Sequence, residues 1–306
     1  MSFWRFLVCS VVAAFIALSA AAAPVEIARS VWLLRGELVP GRQPDGNSFV
    51  FATRGGLLVV DTGRHQAHTQ AILDFAGRRP ISAIVNTHWH LDHIGGNALL
   101  RRARPDVRVY ASDAFEGALT GFLSNYAAQL EGVIAKTAGE EQERYRTELA
   151  LIRAGEALGP DVVVTGSQRL GSLQIHLAKD AVTAGDLWLF DPKTKTLVAG
   201  DLVTLPVPFL DTAKPKGWQT ALADVAAVPF KRLVPGHGPV MTREEFSRYR
   251  TAYDDLLACA SSTHTNEECA TGWLTTLGTL VPQKEQEYAR QALNYYLDQH
   301  LRAHQR

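Results

Sequence analysis

An excess of charge of either sign is what this chain lacks. Lys plus Arg and Asp plus Glu both number 31 in 306 residues, so the formal net charge at pH 7 is zero. No electrostatic footprint for nucleic acid or an anionic membrane surface follows from such a balance, and nucleic acid drops out as a partner. Cysteine is scarce, with three residues. No apolar stretch beyond the N-terminus approaches membrane-spanning length. Repeats of fixed period, linkers and a Gly-x-Ser-x-Gly elbow are also missing, and neither Cys259 nor Cys269 stands in a catalytic context. What remains, at 46% hydrophobic and 20% charged, is the composition of an ordinary globular protein.

The first 23 residues do not belong to the fold. Arg5 is the only early charge, Phe6 to Leu18 is apolar, and Ser19 to Ala23 supplies small residues for cleavage. This reads as a secretory signal peptide, with an uncleaved anchor as the alternative. The mature protein is then expected to be soluble, periplasmic or secreted, and without stable membrane insertion. Cys259 and Cys269 remain after cleavage, on a polar link between two helical patterns. Their spacing matches no zinc motif, and in an exported protein they are expected to form a disulfide pinning the helix pair.

The richest stretch is Thr87-His88-Trp89-His90-Leu91-Asp92-His93-Ile94-Gly95-Gly96. Three imidazoles and a carboxylate within six residues are the donor types that suit Zn²⁺. The preceding Ile81 to Val85 is short, apolar and β-branched, so it predicts a buried strand. The ligand-capable groups then sit on a loop at its carboxyl end, where α/β architectures place their sites. Asp61 follows the apolar Leu57 to Val60, Asp201 follows Gly200 after Thr196 to Ala199, and His237 follows Gly236 after Arg232 to Val234. Each is a polar residue presented at a strand end beside a turn-permitting glycine or Thr-Gly. His65 and His68 are expected on a helix surface. Between Asp113 and Ala157 the chain turns Ala-, Leu-, Glu-, Arg- and Gln-rich, which predicts two or three helices inserted between strands. They form either a lid over the site or a layer packing the sheet. From Thr242 onward the pattern is helical.

His88-x-His90-x-Asp92-His93 resembles the HxHxDH signature of the metallo-β-lactamase superfamily, and Gly200-Asp201 and Pro235-Gly236-His237-Gly238 resemble its later motifs. The resemblance implies an α/β fold, an αββα sandwich of two mixed β-sheets flanked by helices. It would span residues 24–306 as one domain, with the insertion at about 113–157 and C-terminal helices at about 242–306. It implies one metal on His88, His90 and a third histidine, and a second on Asp92, His93 and His237. Asp201 would bridge them, and Asp61 would support the loop by hydrogen bonding. The chain departs from the family where that third histidine precedes Thr-x-Gly-Asp, because Val182-Thr183-Ala184-Gly185-Asp186 stands there. Asp180 is the replacement ligand the loop could supply, His176 is placed worse for it, and the third option is no replacement. The expectation is one firmly bound Zn²⁺ and uncertain occupancy of the other position.

A bound cation lowers the pKa of water toward ~7 and polarises a carbonyl, and Asp92 could orient the nucleophile or move a proton. The function expected is an exported metal-dependent hydrolase of a small-molecule cyclic amide, ester or thioester, of the β-lactam, lactone or thioester class. The alternative is a non-catalytic accessory protein that binds metal or a small molecule in a periplasmic system such as a quinoprotein pathway. The apolar Leu205 to Leu210 would either line a pocket or pack, and Lys214 and Lys216 would hold a substrate carboxylate or stay solvated. No pattern in the chain sets an oligomeric state.

Overall fold

The structure is a computed structural model that describes residues 23–38 and 42–302. The stretch read as a leader lies, up to residue 22, outside the described residues. The first half of the chain forms β1 (Val25–Ala28), β2 (Val31–Leu34), β3 (Ser48–Thr53), β4 (Gly56–Val60), α1 (Gln66–Ala76), β5 (Ile81–Val85), α2 (Leu91–Ile94), α3 (Asn97–Ala103) and β6 (Arg108–Ser112). Three helices follow, α4 (Ala114–Thr120), α5 (Phe122–Ile134) and α6 (Gly139–Arg153), before β7 (Val162–Val164) closes the first sheet in the order β1 to β7. The second sheet is β8 (Gln168–Leu170), β9 (Leu173–Lys179), β10 (Gly185–Asp191), β11 (Thr196–Thr204) and, after α7 (Pro215–Ala227), β12 (Arg232–His237). The chain ends in α8 (Arg243–Ala260), α9 (Asn266–Leu277) and α10 (Gln283–Tyr296).

The two-residue period of the strands sorts the side chains into layers. Val31, Leu33, Phe49, Phe51, Leu58 and Val60 face Ile175, Leu187, Leu189, Val198 and Val234 between the sheets. The alternate residues Val50, Leu57, Val59 and Ile84 pack outward on Ile72 and Ala76 of α1 and Leu100 of α3. On the far side Trp188, Phe190, Leu197 and Leu233 pack on Trp218, Leu222, Phe246, Tyr249 and Trp273 of the later helices. Burial on both faces explains the apolar runs Leu57 to Val60 of β4, Ala83 to Val85 of β5 and Leu197 to Ala199 of β11. The result is an αββα sandwich of two mixed sheets.

The described residues open on the hairpin β1–β2, with Ser30 at φ +62° in its turn. One strand expectation changes. β11 does not stop at Gly200-Asp201. It continues to Thr204 through an irregularity in its pairing with β12, because Leu202 and Val203 keep a fully buried face.

The inserted helices build a core of their own. Phe115, Ala118, Leu123, Leu130, Leu149 and Ile152 enclose Trp89, Leu91 and Ile94 of the histidine loop. They are therefore a packed layer, and one that rests on the loop itself. Both α8 and α9 begin in capping boxes, Thr242 with Glu245 and Thr265 with Glu268, and a Cys259–Cys269 disulfide joins them. Among the described residues no helix is long and apolar enough to cross a membrane.

A cross-link closing a loop of about ten residues restricts the unfolded chain by about 2 to 3 kcal/mol. Cys259→Ser combined with Cys269→Ser is expected to lose that much stability in urea denaturation. No shift relative to the oxidised parent would show that the link does not constrain the unfolded state.

Candidate metal centre

Parallel pairing brings the functional strand ends to common edges. β4 runs parallel to β5 and β11 to β12, so Asp61 and the histidine loop leave one sheet together, and His237 leaves the other beside the irregularity that carries Asp201. The amide of Leu187 donates to the Thr87 carbonyl at 2.6 Å, tying the second sheet to the loop. Two glycines permit the approach. Gly200 has φ +53°, and a Cβ on Gly236 would stand 1.9 Å from Asp201 Oδ1.

The side chains converge in two groups, His88 with His90 and Asp201, and Asp92 with His93 and His237. Within each, one ligand-capable atom per residue lies within 4.8 Å of the others. Asp201 divides its oxygens between them. Oδ2 is 3.5 Å from His88 Nε2, while Oδ1 is 3.2 Å from His93 Nε2 and 3.7 Å from His237 Nε2. Asp92 Oδ2 is 2.9 Å from His237 Nε2.

The hydrogen-bond network orients three of the rings. Asp61, at φ +58°, accepts the Thr87 amide at 2.7 Å on Oδ1. On Oδ2 it accepts the Thr87 hydroxyl at 2.7 Å and His93 Nδ1–H at 2.8 Å. With its proton given to Asp61, the Thr87 hydroxyl accepts His88 Nδ1–H at 3.0 Å. His88 and His93 are thereby left with bare Nε2 atoms turned to the cluster. His90 is set the other way. Thr212 donates its hydroxyl to the Val182 carbonyl at 2.8 Å, so it accepts His90 Nε2–H at 3.0 Å and leaves Nδ1 bare.

His88 Nε2, His93 Nε2, His237 Nε2 and both Asp201 oxygens are buried without a well-aligned hydrogen bond. Buried orphan donors and acceptors arranged in two groups are a site that fits borderline cations such as Zn²⁺. Without a cation, protons hold the cluster together. Burial opposes a charge on His93, but Asp201, Asp92 and Asp61 outweigh it and raise its pKa well above the usual histidine range. Burial likewise opposes ionisation of Asp92 and Asp201, and the neighbouring imidazoles outweigh it, His93 foremost, holding both carboxyls well below their usual range. For His90 burial dominates, with His88 adding to it, and its pKa falls to about 3. Asp186 is pushed up to about 6 by burial, against hydrogen bonds from the Thr183 amide and hydroxyl.

Asp180 does not join either group. It is exposed at φ +52° in the β9–β10 turn, where its amide donates to the Ala184 carbonyl, so the loop presents it to solvent. His176 stacks on Trp188 with ring centroids 3.9 Å apart, on the face of the second sheet turned to the helices. Val182 is fully buried. Of the two histidines expected on a helix surface, His68 is held inward, and His65 is half-buried at the helix start. His68 is buried against the Ser48 hydroxyl at 2.8 Å, and His65 Nδ1 meets Asp45 Oδ2 at 2.9 Å. Leu205 to Leu210 packs, with only Phe209 half-buried, and Lys214 and Lys216 are exposed. Three further residues touch the site without a sequence signal of their own. Thr212 comes from 122 residues away. Asn47 holds the Pro235 and Gly238 carbonyls flanking His237. Arg64 lies 3.8 Å from Asp92 Oδ1. Thr87, adjoining His88, was the one legible from its position.

Two sheets between helical layers, with paired His/Asp groups at the strand ends, define a class of metal-site proteins with a hydrolase-like fold. The chain belongs to the metallo-β-lactamase superfamily, whose family description matches residues 41–237. Solved structures share the fold. A metallo-beta-lactamase from Pontibacter korlensis aligns at TM-score 0.56 and 21% identity, over 76% of this chain and 98% of that one. The VMB-1 structure aligns at 0.59 and 15%, over 79% and 100%. Curated relatives are matched in part. The chain is 41% identical over 66 residues to a hydroxyacylglutathione hydrolase of Gloeobacter violaceus, covering 18% of this chain and 26% of that protein. It is 25% identical over 231 residues to a linear primary-alkylsulfatase of a Pseudomonas species, covering 66% and 43%.

Asp61→Ala strands the Thr87 amide and frees His88 and His93 to rotate. Loss of such a supporting carboxylate is expected to weaken zinc binding about 10- to 100-fold, read by competition against a chromophoric chelator. Unchanged affinity would remove Asp61 from the orienting role.

Proposed function

We propose that this protein is an exported metal-dependent hydrolase of a small-molecule cyclic amide, ester or thioester. The carrying observation is the pair of buried His/Asp groups sharing Asp201, with orphaned lone pairs in both. His88, His90 and Asp201 would hold one Zn²⁺ and Asp92, His93, His237 and Asp201 the other. The cation, when bound, supplies Lewis-acid polarisation and an acidified water. The chain's own contribution is orientation and proton handling. Asp61, Thr87 and Thr212 aim the rings, and Asp92 presents Oδ2 to the centre as a carboxylate that can take up a proton beside the substrate. Export rests on the apolar leader at residues 1–23. The partial similarity to a hydroxyacylglutathione hydrolase and an alkylsulfatase supports hydrolysis as the reaction type.

Aromatic surfaces flank the centre and favour a substrate with an apolar part. Trp89 stands edge-on to His90 at 4.7 Å between centroids, Phe122 of α5 lies 5.3 Å from Trp89 and is 44% exposed, and Phe209 meets His237 edge-on at 5.2 Å.

The buried Val182 favours a second reading. The first group has three donors rather than four, and a chain that binds a cation or small molecule without turnover, as an accessory of another periplasmic system, would tolerate that. Zinc content per chain and a panel of β-lactam, lactone and thioester substrates separate the two. Turnover that disappears together with bound zinc in Asp92→Ala and His237→Ala is expected for the hydrolase. Undiminished hydrolysis by metal-stripped protein would sink it, and zinc binding with no turnover on any class would favour the accessory reading. Val182→His is expected to raise zinc content toward two per chain, and an unchanged content would mean that the first group needs no fourth donor.

A further inference from the structure

Outside the two His/Asp groups a buried cationic side chain also reaches the centre. Arg64 follows the Asp61-Thr62-Gly63 turn, and its side chain is only 9% exposed. Its amide and that of His65 donate to Asp45 Oδ1 at 2.7 and 2.8 Å, which clamps the backbone there. One guanidinium nitrogen, Nη2, lies 3.8 Å from Asp92 Oδ1, an ion-pair distance too long for a hydrogen bond. The other, Nη1, pairs closely with Glu148 Oε1 on α6. Tyr126 of α5 donates its hydroxyl to the same Glu148 oxygen at 3.3 Å. Arg64 Nε is buried without an acceptor. Arg64 and Glu148 also line an open groove of about 1630 Å³ between the inserted helices, α1, α3 and α10, so Arg64 touches the groove on one side and Asp92 on the other.

We propose that Glu148 and Arg64 are a positioning pair through which the inserted helices set the Asp92 carboxylate for metal binding. The inference rests on the reading of Asp92 as a ligand. Asp92 turns Oδ2 to His237 and Oδ1 to Arg64. A buried guanidinium with no other counter-charge would close on Oδ1 and compete with a cation for that carboxylate, because an unpaired buried charge is strongly disfavoured. Glu148 takes one arm of the guanidinium and holds it back. The carboxylate is then oriented by Arg64 without being neutralised by it. The unpartnered Nε and the 3.8 Å gap are what an arginine held at this intermediate position shows.

The pair is tested by zinc affinity in the full-length protein, by competition with a chromophoric chelator, alongside thermal unfolding to confirm that each variant folds. Glu148→Gln is expected to weaken zinc binding about tenfold. Adding Arg64→Gln to it is expected to restore several-fold of that loss, since the competing cation is then gone. Such a reversal is a coupling that a role in merely anchoring α6 would not produce. A double variant as weak as Glu148→Gln, or weaker, overturns the proposal. If Glu148→Gln does not fold, Tyr126→Phe removes only the hydroxyl from Glu148 and is expected to shift affinity about twofold in the same direction, with no shift counting against the pair. Asp92→Ala separates the premises. Zinc affinity unchanged in that variant defeats the ligand reading and the pair with it. Affinity lost there but unchanged in the Glu148 and Tyr126 variants defeats the pair alone.

Discussion

Burying a carboxylate away from water costs several kcal/mol unless charge and hydrogen bonds offset it, and Asp201 is buried with neither oxygen in a well-formed hydrogen bond. Everything around it answers that constraint. Gly236 has no side chain because one would stand against Asp201 Oδ1. β11 breaks its register with β12 at Gly200 so that the carboxylate turns to the imidazoles. Those imidazoles are aimed by hydroxyls and a second buried carboxylate, Asp61, which has every hydrogen bond that Asp201 lacks. Protons can offset the charge, and so can a cation. The arrangement suits the cation, since His88 and His93 engage their Nδ1 atoms with Thr87 and Asp61 and turn Nε2 to the Asp201 oxygens.

The scaffold and the centre are coupled through packing. The insertion between β6 and β7 shares a core with Trp89, Leu91 and Ile94, the apolar residues interleaved with the histidines and Asp92. The same seven-residue run, His88 to Ile94, thus carries the polar residues that build the centre and the apolar ones that dock the helices. Lid and layer, posed as alternatives by the helical spacing, are not exclusive once the layer is seen to rest on the loop. A substitution in the α4–α6 core would therefore reach the donor atoms through the backbone of the loop. A substitution in the α8–α9 hairpin acts through the second sheet and its covering helices.

Much of this was legible along the chain. Short apolar runs stopping at Asp61, at the histidine loop and at His237 identify buried strands because both faces of each are covered. His88, His90, Asp92 and His93 are close in space because they are close in sequence, and the family resemblance supplied Asp201 and His237. What misled was locality. Asp180 is two residues from Val182, yet the β9–β10 turn sends it to solvent. His65 and His68 fall on a helical pattern whose polar residues should face water, but their partners Asp45 and Ser48 come from an earlier loop and strand.

By itself, then, the order of residues determined the layers, the donor types and the absence of a histidine at position 182, because each depends on local periodicity or on the chemistry of one side chain. Tertiary structure alone decided which nitrogen of His88, His90 and His93 is bare, that Asp180 turns to solvent while Thr212 orients His90, and that Arg64 stands between Glu148 and Asp92. Those are contacts between residues tens to more than a hundred positions apart. They arise only when sheet pairing and helix docking close, and no pattern along the chain encodes the distance at which two such groups stop.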